Sequence, residues 1–231
     1  MNRRPVAKTS WFTVALLIAA AAVWVLDQRK PPENSGKPAA RHVEKPAAEA
    51  TPGKPEHTGG FEVHHHCTLA EARHNDGDSF MVRLPDGRKE EFRLYFVDTP
   101  ESAFKRYSGG ETNHERIRQQ AADLGGITPE QAVETGKKAK SFTLGLLGGA
   151  PFTLHTRWDS PFHDGRYHAF VQVTWDKRTR WLHELLIERG LARIKTKGSD
   201  LPDGTPMARH REKLRESEKA ARRAAIGVWG L

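Results

Sequence analysis

The chain has 231 residues, 37% of them hydrophobic, enough for one domain with a real core and accessory segments beside it. Its 37 Lys and Arg against 29 Asp and Glu give a net charge of +8, which suits a polyanionic partner without demanding one. A single cysteine, Cys67, excludes an intrachain disulfide and is expected to fill a core position as a small hydrophobe.

The first element is an uncharged apolar run over residues 11–26, preceded by Arg3, Arg4 and Lys8. A basic start followed by an apolar core is the form of a secretory signal, cleaved or retained. At about 16 residues the run is slightly shorter than the roughly 17–25 of a spanning helix, and Val23-Trp-Val-Leu26 continues directly from its alanines. A retained anchor over residues 1–26 is therefore expected, with secretion after cleavage as the alternative. The positive-inside bias then places everything after Leu26 outside the membrane. Residues 27–60 are rich in Pro, Lys, Glu, Ala and Gly and cannot bury enough surface to offset chain entropy, so they read as a flexible tether. The folded domain is expected over 61–231, with 28 basic against 24 acidic side chains.

Within it, Leu69–His74 reads as a strand leading into the Asn75-Asp-Gly-Asp turn. Phe80–Leu84 is the next strand, Pro85-Asp-Gly-Arg88 a hairpin turn, and Glu91–Val97 a third strand. Strands near 151–157 and 167–175 would complete a five-stranded barrel of OB type, giving an α+β fold with about three or more packed helices. A helix is expected over 111–124. Thr128-Pro-Glu-Gln opens another that runs through Leu146, with an N-cap threonine and an early proline. Trp181–Arg189 is a further helix ended by Gly190, and the last, about 207–225, carries Arg209, Arg211, Lys213, Arg215, Lys219, Arg222 and Arg223 on its polar face. The run His64-His-His-Cys67 has zinc-ligand chemistry. Consecutive strand residues point to alternate sides, however, so they cannot all hold one ion.

Chemistry concentrates in two blocks, Asp76-Gly-Asp-Ser79 and Phe92-Arg-Leu-Tyr-Phe-Val-Asp-Thr-Pro-Glu101, with a third downstream at His163-Asp-Gly-Arg166. Asp78 and Asp98 offer the oxygen ligands that hard divalent cations prefer. Glu101, restrained behind Pro100, could serve as a base for water, and Arg93 could supply positive charge to a pentavalent phosphorus. Five residues of straight strand span about 16 Å, so Arg93 and Asp98 can share a phosphate only if the strand curls or bulges after about Phe96.

These three blocks, in this order, closely resemble the staphylococcal-nuclease (thermonuclease) family, whose signature reads D-G-D-[ST], F-R-L-x-x-V-D-T-P-E and a later G-R before a strand. The resemblance implies a calcium-dependent nuclease of DNA and RNA leaving 3′-phosphates. Asp78 and Asp98 would bind Ca2+ through their carboxylates and Thr99 through its backbone oxygen, with Asp76 as an outer partner. Arg93, Glu101 and Arg166 would be the catalytic residues, and a monomer is expected. A non-catalytic nucleic-acid-binding module tethered to the membrane is the alternative. Two departures stand out. Residues 102–128 form a longer insertion directly after Glu101, placed to wall the site. Lys195-Thr-Lys-Gly198 also stands where the family has nucleotide-contacting tyrosines, which removes the basis for base stacking there.

Overall fold

The computed structural model describes residues 56–231. The anchor expected over 1–26 and the tether up to residue 55 lie outside the described residues. Among the described residues, no helix is long and apolar enough to cross a membrane.

The first strand, β1 (Glu56–Thr58), pairs antiparallel with β2 (Phe61–Leu69), so residues 56–60 are not tether. The reason is local. Gly59 and Gly60 both take positive φ, +59° and +78°, and so close a tight two-residue turn whose twist suits a hairpin. β2 also corrects the expectation of a strand over Leu69–His74, because the strand ends at Leu69. His64 is buried while His65 and His66 are exposed, and the register with the neighbouring strand shifts between His64 and Cys67. Cys67 is buried as expected, and burial pushes its thiol up to about 12.

A closed barrel of five strands follows. β2 pairs with β3 (Ser79–Arg83), β3 with β4 (Lys89–Leu94), and β4 with β7 (Tyr167–Trp175). β7 in turn pairs with β6 (Phe152–Thr156), and β6 returns to β2. The β4–β7 pair alone is parallel, and the long crossover it requires carries two of the four helices. Phe61, Phe80, Phe92, Leu94, Leu154 and Phe170 fill the interior with almost no exposure. Each contributes about 1.5–3 kcal/mol by burial. A short strand, β8 (Arg178–Trp181), extends β7.

Four helices pack around the barrel: α1 (His114–Asp123), α2 (Pro129–Gly149), α3 (Leu182–Glu188) and α4 (Met207–Arg223). α2 starts with a full capping box: Thr128 accepts from the Gln131 amide, and the Gln131 side chain returns to the Thr128 amide. α1 lies on α2 through a small separate cluster, Ile117 and Ala121 against Ala132 and Val133.

The third strand does not run unbroken to Val97. It stops at Leu94, and Phe96 adopts φ +70°, unusual for a bulky residue. The surroundings hold it there, with the Phe96 amide donating to Lys197 O (2.9 Å) and the Lys195 amide donating to Phe96 O (2.8 Å). This turn delivers β5 (Val97–Asp98), which pairs with β9 (Arg193–Ile194) in a separate ladder. The bend that the spacing of Arg93 and Asp98 requires is thus present at Phe96.

Candidate active site

Asp78 closes the turn between β2 and β3, where the Leu94 amide binds its carbonyl oxygen (2.9 Å). Its carboxylate is buried, accepting from Ser79 Oγ (3.1 Å) on one oxygen and from the Thr99 amide (3.3 Å) on the other. Two links of the expected site are therefore in contact across the bend. Ser79 adds a third, since its hydroxyl also accepts from Arg93 Nε (3.2 Å). Burial, reinforced by the charge of Asp98 and opposed by Arg93, raises the Asp78 carboxyl to about 6. Two buried carboxylates, Asp78 and Asp98, offer oxygen donors of the kind a hard divalent cation prefers.

The preceding Gly77 is required by close approach rather than by turn geometry. An added Cβ would lie 2.8 Å from Thr99 Oγ1 and 2.9 Å from its Cγ2. Thr143, buried on α2, donates to Gly77 O (2.8 Å) and anchors the same turn. Asp76 commits its oxygens to the Gly77 amide (2.9 Å) and Ser102 Oγ (3.3 Å).

Asp98 is buried and heavily engaged. Its Oδ1 accepts from Arg116 Nη2 (3.0 Å); its Oδ2 accepts from Gln120 Nε2 (3.0 Å) and Arg193 Nε (2.8 Å). Arg193 faces it as the cross-strand residue of the β5–β9 ladder and also grips Asp123. Glu101, partly exposed, receives Arg116 Nε on Oε1 (2.9 Å), and Lys105 Nζ and Asn113 Nδ2, both at 3.4 Å, on Oε2.

Among the described residues Arg93 forms no ion pair, although its charge acts on Asp78 and Asp164. Arg166 immediately precedes β7, and His168 within β7 is the parallel partner of Arg93 in β4. Arg166 differs in being paired to Asp164 two residues earlier.

Several residues escaped the sequence reading: Arg116, Gln120, Arg193, Gly136 and Thr143. Gln120 is fully buried on α1 and donates to both Asp98 Oδ2 and Thr99 O (3.1 Å), while its own oxygen accepts from the Glu101 amide (3.0 Å). Gly136 on α2 lies under the same loop: a Cβ there would meet Glu101 O at 2.4 Å and Pro100 O at 2.5 Å. For Arg116 and Gln120 the signal available was the helix expected over 111–124, in the segment after Glu101; Gly136, Thr143 and Arg193 lie on other elements.

The chain also brings His183, Glu184 and His210 together, the one group of three His, Cys, Asp or Glu side chains among the described residues with ligand atoms within 4.8 Å. The His183 and His210 Nε2 atoms are 2.7 Å apart. Two nitrogens bound tetrahedrally to zinc at about 2.0–2.1 Å would lie roughly 3.3 Å apart. The shorter distance is that of a hydrogen bond between imidazoles, and Lys213 Nζ already neutralises Glu184 (2.7 Å).

Comparison with known proteins agrees with the signature blocks. No curated protein matches the chain. Among solved structures, the extended Tudor domain of Drosophila melanogaster Tudor-SN is similar at TM-score 0.36 and 13% identity, over 95% of this chain and 90% of that one, a likeness that adds nothing to the fold described above. The family model described as staphylococcal nuclease homologue matches residues 91–230, from within β4 to the penultimate residue. That match spans more than half of the chain, and the chain belongs to the staphylococcal nuclease homologue family.

Proposed function

We propose that this protein is a calcium-dependent nuclease hydrolysing phosphodiester bonds of DNA and RNA. The observation that carries the reading is the meeting of buried Asp78 and Asp98 at the bend after β4, beside Glu101 and Arg93. Asp78, Asp98 and the backbone oxygen of Thr99 would hold Ca2+, which supplies Lewis-acid charge to the scissile phosphate and its attacking water. Gln120 uses one side of the Thr99 carbonyl, and a carbonyl oxygen has a second lone pair.

The protein residues divide the remaining work. Glu101 accepts the proton of a water whose oxygen forms the new bond to phosphorus as the bond to the leaving oxygen breaks. Its restraint by Pro100, Arg116 and Asn113 suits a group that must orient one water. Arg93 has no carboxylate within ion-pairing distance among the described residues, so its guanidinium is available to a phosphate oxygen. Arg166 would exchange Asp164 for the phosphate, adding a second positive charge as the transition state gains negative charge. Water as the nucleophile needs no 2′-hydroxyl, so both DNA and RNA are substrates, with 3′-phosphate products by family resemblance.

The basic-then-apolar order of residues 3–26 supports a location outside the cytoplasmic membrane. Protease added to intact spheroplasts should then remove the domain from the membrane fraction; full protection until lysis would refute that orientation. Digestion of single-stranded DNA in calcium, abolished by excess chelator, tests the function itself. Binding without cleavage under the same conditions would favour the non-catalytic reading.

A further inference from the structure

The long segment between Glu101 and α2 does more than wall the site. α1 sends two side chains, one helical turn apart, onto the loop that carries the proposed calcium ligands and base. Gln120 has no exposure and makes three hydrogen bonds there, to Asp98, Thr99 and the Glu101 amide. Arg116 makes two, and they are of a particular kind. Its Nη2 lies 3.0 Å from Asp98 Oδ1 and its Nε 2.9 Å from Glu101 Oε1, so one planar guanidinium spans a proposed metal ligand and the proposed base.

Nothing in the fold requires an arginine at that point. Asp98 Oδ2 is already satisfied by Arg193 and Gln120, and Glu101 Oε2 already meets Lys105 and Asn113. Arg116 is 45% exposed, and its neighbours on the hydrophobic side of α1, Ile117 and Ala121, do the packing. Its guanidinium therefore adds charge to the site while adding little to the core. A cation binding Asp98 through Oδ1 must displace that guanidinium or accept its repulsion. Because the side chain is solvent-accessible and flexible, displacement needs only a rotamer change.

We propose that Arg116 is the resident counter-cation of this site. It positions Asp98 and Glu101 while no divalent cation is bound, competes with calcium for Asp98 Oδ1, and keeps its Nε on Glu101 when calcium takes that oxygen. This inference rests on the calcium reading above. The bidentate fork matters, since a lysine ammonium could meet only one carboxylate at a time with comparable geometry. Arg116 thus sets the calcium concentration at which the enzyme becomes active, and Gln120 keeps the loop in register as the exchange occurs.

The test measures calcium affinity of the full chain by calorimetry for wild type, Arg116→Gln and Arg116→Lys, with kcat at saturating calcium measured in parallel. Removing a like charge beside the ion should tighten calcium binding by about tenfold in Arg116→Gln. In the same variant kcat should fall about tenfold, because the wild-type guanidinium, turned off Asp98 by calcium, still holds Glu101 through Nε and the variant lacks that contact. Arg116→Lys should lie between wild type and Arg116→Gln on both scales. Movement of affinity and kcat in opposite directions is something that loss of structure alone cannot produce. Calcium affinity unchanged or weakened in a folded Arg116→Gln overturns the proposal, and if wild type still cleaves with calcium the nuclease reading survives it. Absence of calcium binding in wild type and variant alike overturns both.

Discussion

Gly136 offers a direct way to disturb Glu101 without touching it. It lies buried on α2, and a methyl group there would meet Glu101 O at 2.4 Å, Pro100 O at 2.5 Å and Glu101 C at 2.7 Å. These are backbone atoms and cannot rotate away. An ordinary carbon–oxygen contact is about 3.3–3.6 Å, so Gly136→Ala must drive α2 and the 100–101 loop apart by roughly 1 Å. Overpacking of this kind costs about 1–3 kcal/mol, offset by up to about 1 kcal/mol from the better helix propensity of alanine. A net loss on the order of 1–2 kcal/mol lowers Tm by about 2–8 °C for a domain of this size. The larger effect falls on catalysis, because a misplacement of about 1 Å costs on the order of a hundredfold in rate. Gly145, on the same helix with open space around its Cα, is the control: Gly145→Ala should hold or raise Tm by a few degrees and leave kcat alone. Steady-state cleavage and thermal melting of both variants decide the matter. Wild-type kcat in Gly136→Ala would show that the loop is not positioned by contact with α2.

Acid should destabilise the domain through its buried histidines. Burial lowers His64, His155, His183 and His210 below the ordinary value, and takes His168 down to about 4. Each stays neutral in the fold while the unfolded chain binds protons below about 6.5, so their stability contribution is complete above that pH and declines as pH falls toward 4. His168 alone accounts for about 3 kcal/mol across that window. Asp78, raised to about 6, and Asp76, also raised by burial, act in the opposite sense without metal but are two groups against five. Urea melts at pH 7.5 and pH 5 should show the loss, and equal stability at both would contradict the burial of these imidazoles. Nucleic-acid affinity should fall steeply with salt, because the polar face of α4 and the Lys195–Lys197 stretch offer cations rather than aromatic rings. Binding indifferent to salt would point to stacking instead.

What the sequence revealed about the site was what lies close together along the chain. Asp78, Asp98, Thr99 and Glu101 fall within two short blocks, and their chemistry and spacing are legible without coordinates. The bend at Phe96 was also foreseeable, because a straight strand cannot bring Arg93 and Asp98 to one phosphate. Residues joined only by tertiary contact were not legible. Arg193 reaches Asp98 from 95 positions away, and Thr143 reaches Gly77 from 66. Gly136 looks like an ordinary weak helix residue until the backbone of Glu101 is seen 2.4 Å from where its Cβ would be. The strand at the histidine run was misplaced for a different reason. Its register shift between His64 and Cys67 breaks the two-residue alternation on which strand recognition depends. Helix boundaries fared better, since Thr128 with Gln131 and Gly190 after Arg189 are local signals.

The central claim is that Glu101 acts as a base on water beside Asp78 and Asp98. Glu101→Gln keeps the size of the side chain and can still accept from Arg116, but it cannot take a proton. Single-turnover cleavage of a defined single-stranded DNA at saturating calcium, with binding measured on the same substrate, isolates that function. The account predicts a fall of about two or more orders of magnitude in the cleavage rate with binding retained; cleavage by Glu101→Gln at the wild-type rate would contradict it.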